Sequence, residues 1–256
     1  MSLITLTSDW GLRDYYSAAV KGYIITHAPG VNIIDVSHQI TPFDIVHTSY
    51  IVKNLLPLFP QGSVHIVDVD AHSLANDRFL LVTTMGQHIL CSDNGLFSLV
   101  SDSYEKMYEL PYLKSSFTTL DILAPAACKI IQGADTATLG KETKNIVQKM
   151  LLNPISEHNA IRGNIIYIDS YKNAIINIRK EEFTKAAAGR TKYVIYLRRA
   201  EYNIHEIGYN YDNVPPGEKV AFFNAAGYLE IGINQGKAAE LLGLKTNDMV
   251  RIEFFS

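Results

Sequence analysis

The chain opens on an apolar, β-branched run, Leu3-Ile-Thr-Leu-Thr, of the length of a buried strand. The run breaks at Ser8-Asp9-Trp10-Gly11. Tyr15 to His27 then reads as a helix, stopped by Pro29-Gly30. Val31 to Val36 follows as a second strand of buried type. Asp44 stands where it would cap a helix from Ile45 to about Phe59, and Ile45, Tyr50, Ile51, Leu55 and Leu58 recur at helical spacing. Ser63 to Val69 is a third strand. This β-α-β-α-β order predicts a parallel sheet covered by helices. Strands then crowd together. Phe79 to Thr84 and His88 to Ser92 flank the turn Met85-Gly86-Gln87, and Lys106 to Leu110 follows a short helix, Leu96 to Val100. Asp121 is expected to cap a helix from Ile122 to Gln132, with Pro125 in its tolerant first turn.

The texture changes between Lys144 and His158, a polar stretch containing Asn153-Pro154. Beyond it strands dominate: Asn164 to Asp169, Ala174 to Ile178, Tyr193 to Arg198, Lys219 to Phe223, Leu229 to Ile233 and Met249 to Phe255. Ser170-Tyr171-Lys172-Asn173, Pro215-Pro216-Gly217 and Ala226-Gly227 mark turns, and one short helix spans Lys237 to Leu242. The expected fold class is α/β: an amino-terminal α/β domain with a mostly parallel sheet between helices, residues 1–152, then a small antiparallel β-barrel domain, residues 160–256. Residues 153–159 are the expected linker.

Composition narrows the functional classes. At 256 residues, 47% hydrophobic and 19% charged, the chain can bury a substantial core. A net charge of -3 gives no electrostatic case for nucleic acid or an anionic membrane. Cys91 and Cys128 sit in apolar segments without a CxxC, so buried thiols in a reducing, cytoplasmic setting are expected. Met-Ser-Leu-Ile-Thr has no basic n-region, so no secretory signal is expected, and no apolar run would span a bilayer.

A carboxylate, Asp9, stands at the carboxyl end of the first strand, where open α/β sheets bind ligands. No phosphate-binding glycine pattern accompanies it, so hydroxyls or a cation suit it better than a phosphate. Capping of the following helix is the structural alternative for Asp9 and Asp14. No GxGxxG, P-loop, HExxH or paired Cys/His spacing is present, and no metal is expected. His65 and His88 fall inside strand patterns, as packed or edge histidines. His38 and His72 follow strand ends and are better placed for chemistry. No Ser/His/Asp set has a nucleophile-elbow sequence.

Several motifs, in order, resemble the S-adenosylmethionine hydroxide adenosyltransferases, relatives of the fluorinating and chlorinating enzymes. They are Thr7-Ser8-Asp9-Trp10-Gly11 with Asp14; Asp35-Val-Ser-His38-Gln-Ile-Thr-Pro42-Phe-Asp44; Phe59-Pro60-x-Gly62-x-Val-His65; and Asp93-Asn94-Gly95-Leu96. Asp121-Ile-Leu-Ala124-Pro125, Asp169-x-x-x-Asn173-x-x-x-Asn177 and Gly227-Tyr-Leu-Glu230-Ile-x-Ile-Asn234 extend the likeness along the whole chain. The resemblance implies attack of water on ribose C5′ of S-adenosylmethionine, without cofactor, giving adenosine and methionine. It also implies a homotrimer whose sites lie between one subunit's first domain and a neighbour's second. Carried over position by position, Asp9 would bind the ribose hydroxyls, and Asp14 and Asp169 the methionine ammonium. Phe43 would lie beside ribose. Asn173 and the backbone at Ile233, Asn234 and Gln235 would read adenine, next to Glu230 in its motif.

The departures fall in the water-activating groups. The hydrolases carry Asp-Pro-Gly-Val-Gly followed by arginine, then Phe-His-Gly-Arg-Asp. This chain has Asp70-Ala-His-Ser-Leu-Ala-Asn-Asp77-Arg78 and Phe117-Thr118-Thr119-Leu120-Asp121. Asp70 aligns, Arg78 is offset by one, and Thr118 stands for the histidine. The expected catalytic set is therefore Asp70, His72, Arg78 and Thr118. Asp70 and His72, two apart in an extended segment, would face the same way as a carboxylate–imidazole pair; in the plainer reading Asp70 binds ribose or caps a turn. Ala225 and Ala226 replace a serine and arginine that hold the methionine carboxylate in the halogenases. Two alternatives stay open: a non-catalytic adenosine or S-adenosylmethionine binder, and an enzyme for another 5′-substituted adenosine.

Overall fold

The computed structural model describes residues 2–71 and 77–255. Contacts divide the chain into two compact units, Met1–Leu151 and Leu152–Ser256.

The first unit runs β1 (Leu3–Ser8), α1 (Tyr16–His27), β2 (Asn32–Ser37), α2 (Ile45–Leu55), β3 (Val64–Asp68), β4 (Phe79–Thr84), β5 (Gln87–Ser92), α3 (Leu96–Val100), β6 (Lys106–Glu109), α4 (Ala124–Ile131) and β7 (Lys141–Glu142). Its strands form one sheet in the order β2-β1-β3-β5-β4-β6-β7. The β2–β1, β1–β3 and β3–β5 pairs are parallel. The β5–β4, β4–β6 and β6–β7 pairs are antiparallel. The sheet is thus partly parallel, where the helix-strand alternation predicted mostly parallel. The short Met85-Gly86 turn forces antiparallel pairing of β4 with β5.

Alternate residues of β4 serve opposite faces. Phe79 and Leu81 pack with Val20 and Ile24 of α1 and with α4, whereas Leu80 and Val82 pack with Val52 of α2 and with α3. The sheet therefore lies between helices, as expected. The expected buried strand at Val31 to Val36 is instead the edge strand β2, and Ile34 is 43% exposed there. Periodicity cannot distinguish an edge from a centre.

Asp44 caps α2 by accepting from His47 N–H at 2.9 Å. The helix stops at Leu55 and tightens into a 3₁₀ turn at Leu56–Leu58, short of Phe59, because Pro57 cannot continue the ladder. Asp121 does not cap α4. It lies inside a π-helical turn, Thr119–Leu123, that runs into α4, and it accepts from Ser115 Oγ at 2.5 Å.

The second unit runs β8 (Ile155–Ser156), β9 (Ala160–Ile168), β10 (Ala174–Arg179), α5 (Lys180–Ala187), β11 (Lys192–Tyr196), β12 (Ile207–Gly208), β13 (Lys219–Phe223), β14 (Tyr228–Ile233), α6 (Ala238–Leu242) and β15 (Met249–Phe255). The sheet order is β11-β15-β9-β10-β14-β13-β12, with β8 on β9. It curls as a half-barrel around Ile161, Ile176, Leu229, Ile231 and Ile252, closed on one side by Phe183 of α5. All pairings but β12–β13 are antiparallel. Helix α5 lay outside the predicted elements; its cap uses Glu182, which accepts from Arg179 N–H at 2.7 Å.

Candidate active site

The chain passes from β1 through α1 to β2 on one side of β1, then through α2 to β3 on the other. Such a reversal opens a crevice at the carboxyl ends of the two central strands, the usual ligand position in an open parallel sheet. Register places Ser8 beside Asp68, the last residues of β1 and β3. A cleft of about 240 Å³ sits there, lined by Asp9, Trp10, Tyr16, Phe43, Asp68, Asp70, Ala71, Ser116, Phe117 and Thr118.

Its walls are braced from behind. The His38 ring, 3% exposed, bridges Ser8 Oγ at 2.6 Å and Asp35 Oδ1 at 3.1 Å. Trp10 stacks on that ring with centroids 5.6 Å apart, and its Nε1–H donates to Asp68 Oδ2 at 2.9 Å. Asp35 also meets Lys21 at 2.5 Å. Burial alone would raise the Asp35 carboxyl, but hydrogen bonds from Lys21 and His38 hold it below the ordinary value. His38, suspected of chemistry, is therefore a brace. Asp9 Oδ2 accepts from Phe43 N–H at 2.9 Å, so the ribose-binding candidate also pins the loop bearing Phe43. Neither Asp9 nor Asp14 caps α1, whose N-cap is Tyr15 without a side-chain hydrogen bond. Asp14 is exposed and does not line the cleft.

Asp70 holds a left-handed backbone, φ 52°. Asn94 Nδ2–H donates to the carbonyls of Val69 and Asp70, at 2.9 and 3.1 Å, and Ser92 Oγ–H donates to Ala71 O at 3.1 Å. That explains the Asp93-Asn94-Gly95 motif: Asn94 fastens the Asp70 loop. Asp93 takes a different partner. Arg78 donates to Asp93 at 2.8 Å, to Glu109 at 2.9 Å and to Asn145 O at 2.9 Å, so this expected catalytic arginine faces away from the cleft. Burial raises the Asp93 carboxyl, countered by Val147 N–H and Arg78. Thr118 is 3% exposed and lines the cleft, where the resemblance puts the histidine. His72 lies outside the described residues.

The remaining candidates share a cleft of about 650 Å³ in the second unit. It is lined by Asp169, Ser170, Tyr171, Asn173, Tyr211, Glu230, Ile233, Asn234, Gln235, Gly236 and Lys237. Asn173 Nδ2–H donates to Asp169 Oδ2 at 3.0 Å and to Tyr211 OH at 2.8 Å; Tyr211 OH donates to Glu230 Oε1. Asn224 Nδ2–H donates to Glu230 Oε2 at 3.0 Å. Burial and the Glu230 carboxylate drive the Tyr211 hydroxyl well above its ordinary value. Both amide hydrogens of Asn173 are committed, which leaves its carbonyl oxygen for a ligand donor. A Cβ on Gly232 would come within 2.8 Å of Tyr211 Cε1 and 3.0 Å of Asn173 Oδ1, so glycine is required there. Asn234 Nδ2–H ties down Val214 O at 2.7 Å, and Gln235 turns the chain at φ 55°. Asn177 is structural: it donates to Leu152 O at 2.5 Å and accepts from Asn164 N–H at 2.7 Å.

The SAM hydroxide adenosyltransferase N-terminal domain matches residues 4–140, and the C-terminal domain of the same family matches residues 163–251. The chain belongs to the SAM hydroxide adenosyltransferase family. It is 29% identical over 272 residues to an (R)-S-adenosyl-L-methionine hydrolase of Thermus thermophilus, covering 98% of this chain and 100% of that one. Another so named, from Methanocaldococcus jannaschii, is 29% identical over 98% of this chain and 96% of its own length. A fluorinase of Actinoplanes is similar over 62 residues only, 37% identical, covering 24% of this chain and 21% of the fluorinase. A Thermotoga maritima crystal structure shares the fold with a TM-score of 0.89 at 24% identity, covering 97% and 99% of the two chains.

Residues that sequence reasoning missed carry part of both clefts. Asp68 left a signal, a carboxylate inside the apolar run Val64 to Val69. Tyr211 left none, since it arrives from a 3₁₀ turn at Tyr211–Asn213. Among the described residues no group of three or more His, Cys, Asp or Glu could hold a metal ion, and no helix is long and apolar enough to cross a membrane.

Proposed function

We propose that this chain is an S-adenosylmethionine hydrolase, taking the R configuration at sulfur that its relatives' names specify. The observation that carries the reading is its likeness to four curated hydrolases over 97–98% of its length. Water attacks ribose C5′ while the C5′–S bond breaks. The bonding pair returns to sulfur, methionine leaves as a neutral thioether, and water's proton passes to a base. Sulfonium needs no protonation to leave, so the site's work is to hold water in line and take that proton.

In this reading Asp9 accepts hydrogen bonds from the vicinal ribose hydroxyls, and Phe43 lies along the sugar. Asn173, Ile233 and Gln235 read the adenine edge. Asp169 faces the methionine ammonium. Asp70, with His72, takes the proton, and Thr118 positions the water. Asp14 and Arg78 support this arrangement from outside the cleft.

We also propose a homotrimer with sites between the first domain of one subunit and the second of a neighbour. At about 240 Å³ the first cleft is below the size of most small-molecule pockets, in keeping with a site that another surface completes. The buried free thiols Cys91 and Cys128 suit a reducing, cytoplasmic setting, and burial pushes the Cys91 thiol up to about 12.

The test is incubation with S-adenosylmethionine in ¹⁸O-labelled water, with chloride present, followed by chromatography and mass spectrometry. Labelled adenosine and methionine are expected. A 5′-chloro product overturns the hydrolase reading. No turnover beside tight adenosine binding replaces it with a non-catalytic binder, the role that Thr118 would favour, and turnover of another 5′-substituted adenosine alone replaces it with the enzyme that Ala225 and Ala226 would favour. Light scattering that gives a stable 28.6 kDa monomer at micromolar concentration overturns the trimer.

A further inference from the structure

The first cleft is lined by three carboxylates and by aromatic rings, with no lysine or arginine on its walls among the described residues. Arg78, the nearest candidate in sequence, is committed to Asp93 and Glu109. Asp68 is the deepest of the three acids, 5% exposed, while Asp9 and Asp70 are half-buried. Asp68 Oδ2 accepts from Trp10 Nε1–H and from Thr119 Oγ–H. A carboxylate so buried is costly unless such donors hold it. The same bond fixes the indole, which stacks on His38 and meets Phe117 edge-on at 5.5 Å. Charge and ring are thus oriented before any ligand arrives.

We propose that Asp68 and Trp10 form a cation-selective wall that distinguishes a sulfonium from a neutral thioether. The proposal rests on the hydrolase reading, in which the substrate carries positive sulfur and the methionine product does not. The Asp68 carboxylate attracts the sulfonium from the floor of the cleft, and the Trp10 face adds a cation–π contact. Both attractions fade as charge leaves sulfur in the transition state. The wall therefore serves substrate selection and product release, and works slightly against the chemical step by holding the bound substrate more tightly than the transition state.

The test compares calorimetric affinities for S-adenosylmethionine and S-adenosylhomocysteine, its neutral thioether counterpart. The wild-type protein is expected to favour the sulfonium by tenfold or more, the scale of one buried charge or cation–π contact. Asp68→Asn is expected to erase about tenfold of that preference while homocysteine-analogue affinity holds within about twofold. Asp68→Glu restores part of it. Trp10→Phe keeps a ring but loses the N–H anchor, and is expected to lower the preference about threefold, which gives a second reading where Asp68→Asn does not fold. Equal weakening of both ligands overturns the proposal, as does a kcat falling about a hundredfold in Asp68→Asn at unchanged KM, the mark of a general base. Discrimination without turnover sustains the proposal and removes the hydrolase reading. Turnover without discrimination does the reverse.

Discussion

The two clefts hold comparable numbers of polar side chains but use them differently. In the first unit the carboxylates of Asp9, Asp68 and Asp70 stand at strand ends among aromatic rings. In the second, several polar groups are bonded to one another in a chain: Asn173 to Asp169 and Tyr211, Tyr211 to Glu230, Glu230 to Asn224. The first cleft can offer charge and acceptor capacity to a ligand. The second offers a prearranged edge of fixed polarity, suited to reading a flat base without reorganisation. Both are framed by non-glycine residues with left-handed backbone, Phe43 and Asp70 in one, Gln235 in the other. Such conformations cost about 1–3 kcal/mol each and cluster at ligand sites.

This contrast can be broken most severely at Asp70. If it takes water's proton, Asp70→Asn lowers the rate of adenosine release by about 10²–10⁴-fold with little change in KM. His72→Ala should then remove the acid limb of the pH–rate profile. Wild-type rates in both would leave Asp70 as a loop anchor.

Asp9→Ala should come next, weakening adenosine binding about a hundredfold in calorimetry, since two charge-assisted hydrogen bonds to a vicinal diol are worth about 1.5–3 kcal/mol each. Asp9→Asn keeps an acceptor for Phe43 N–H and should lose less. Near-wild-type affinity in Asp9→Asn beside a large loss in Asp9→Ala would mean that the Phe43 loop, and no ribose contact, sets the affinity.

The second cleft should respond through stability as well as binding. Tyr211→Phe removes the donor to Glu230, which is 6% exposed, and should cost about 1–3 kcal/mol in denaturant unfolding. Adenosine affinity should fall about tenfold alongside, because Asn173 loses its partner. Unchanged stability would show that this network is loose.

The smallest effect is expected away from both clefts. His65 is buried, bonded to Thr5 at 2.8 Å and Gln87 at 2.7 Å, and burial holds its ring below the ordinary 6.5. In the unfolded chain the ring takes up a proton as pH falls through 6.5, while in the folded protein it stays neutral until a lower pH. Stability should therefore decline as pH drops below 6.5, by about 1.4 kcal/mol for every tenfold by which burial weakens proton binding to the ring. His65→Asn should flatten that slope in thermal melts between about pH 7 and pH 5. An unaltered slope would assign it to other groups.

Much of the fold was legible locally. β-Branched runs marked β1, β3 and β4, Asp44 announced α2, and Pro29 ended α1, because buried strands, caps and chain breaks are short-range matters. Part of the first cleft's lining was legible for the same reason: Asp9 and Asp70 follow buried strands, and both line that cleft. The ordered motifs named Asp169, Asn173 and Glu230 as substrate-binding candidates with separate roles, and the three line one cleft. Asp121 was misread as a cap, and the position of Arg78 was not legible, for the converse reason. A charged side chain's partner lies elsewhere in the chain, and Asp93, Glu109 and Ser115 took them. Likewise the edge position of β2, the antiparallel half of the first sheet, and the meeting of Trp10, Asp68 and Thr119 depend on strand order. The sequence alone determined which segments form strands and helices, and which carboxylates end them, since those follow from neighbours a few residues apart. Only the tertiary structure decided which of those carboxylates line a cleft and which are spent on arginine, because that is settled by side chains up to 58 positions away brought within hydrogen-bonding distance.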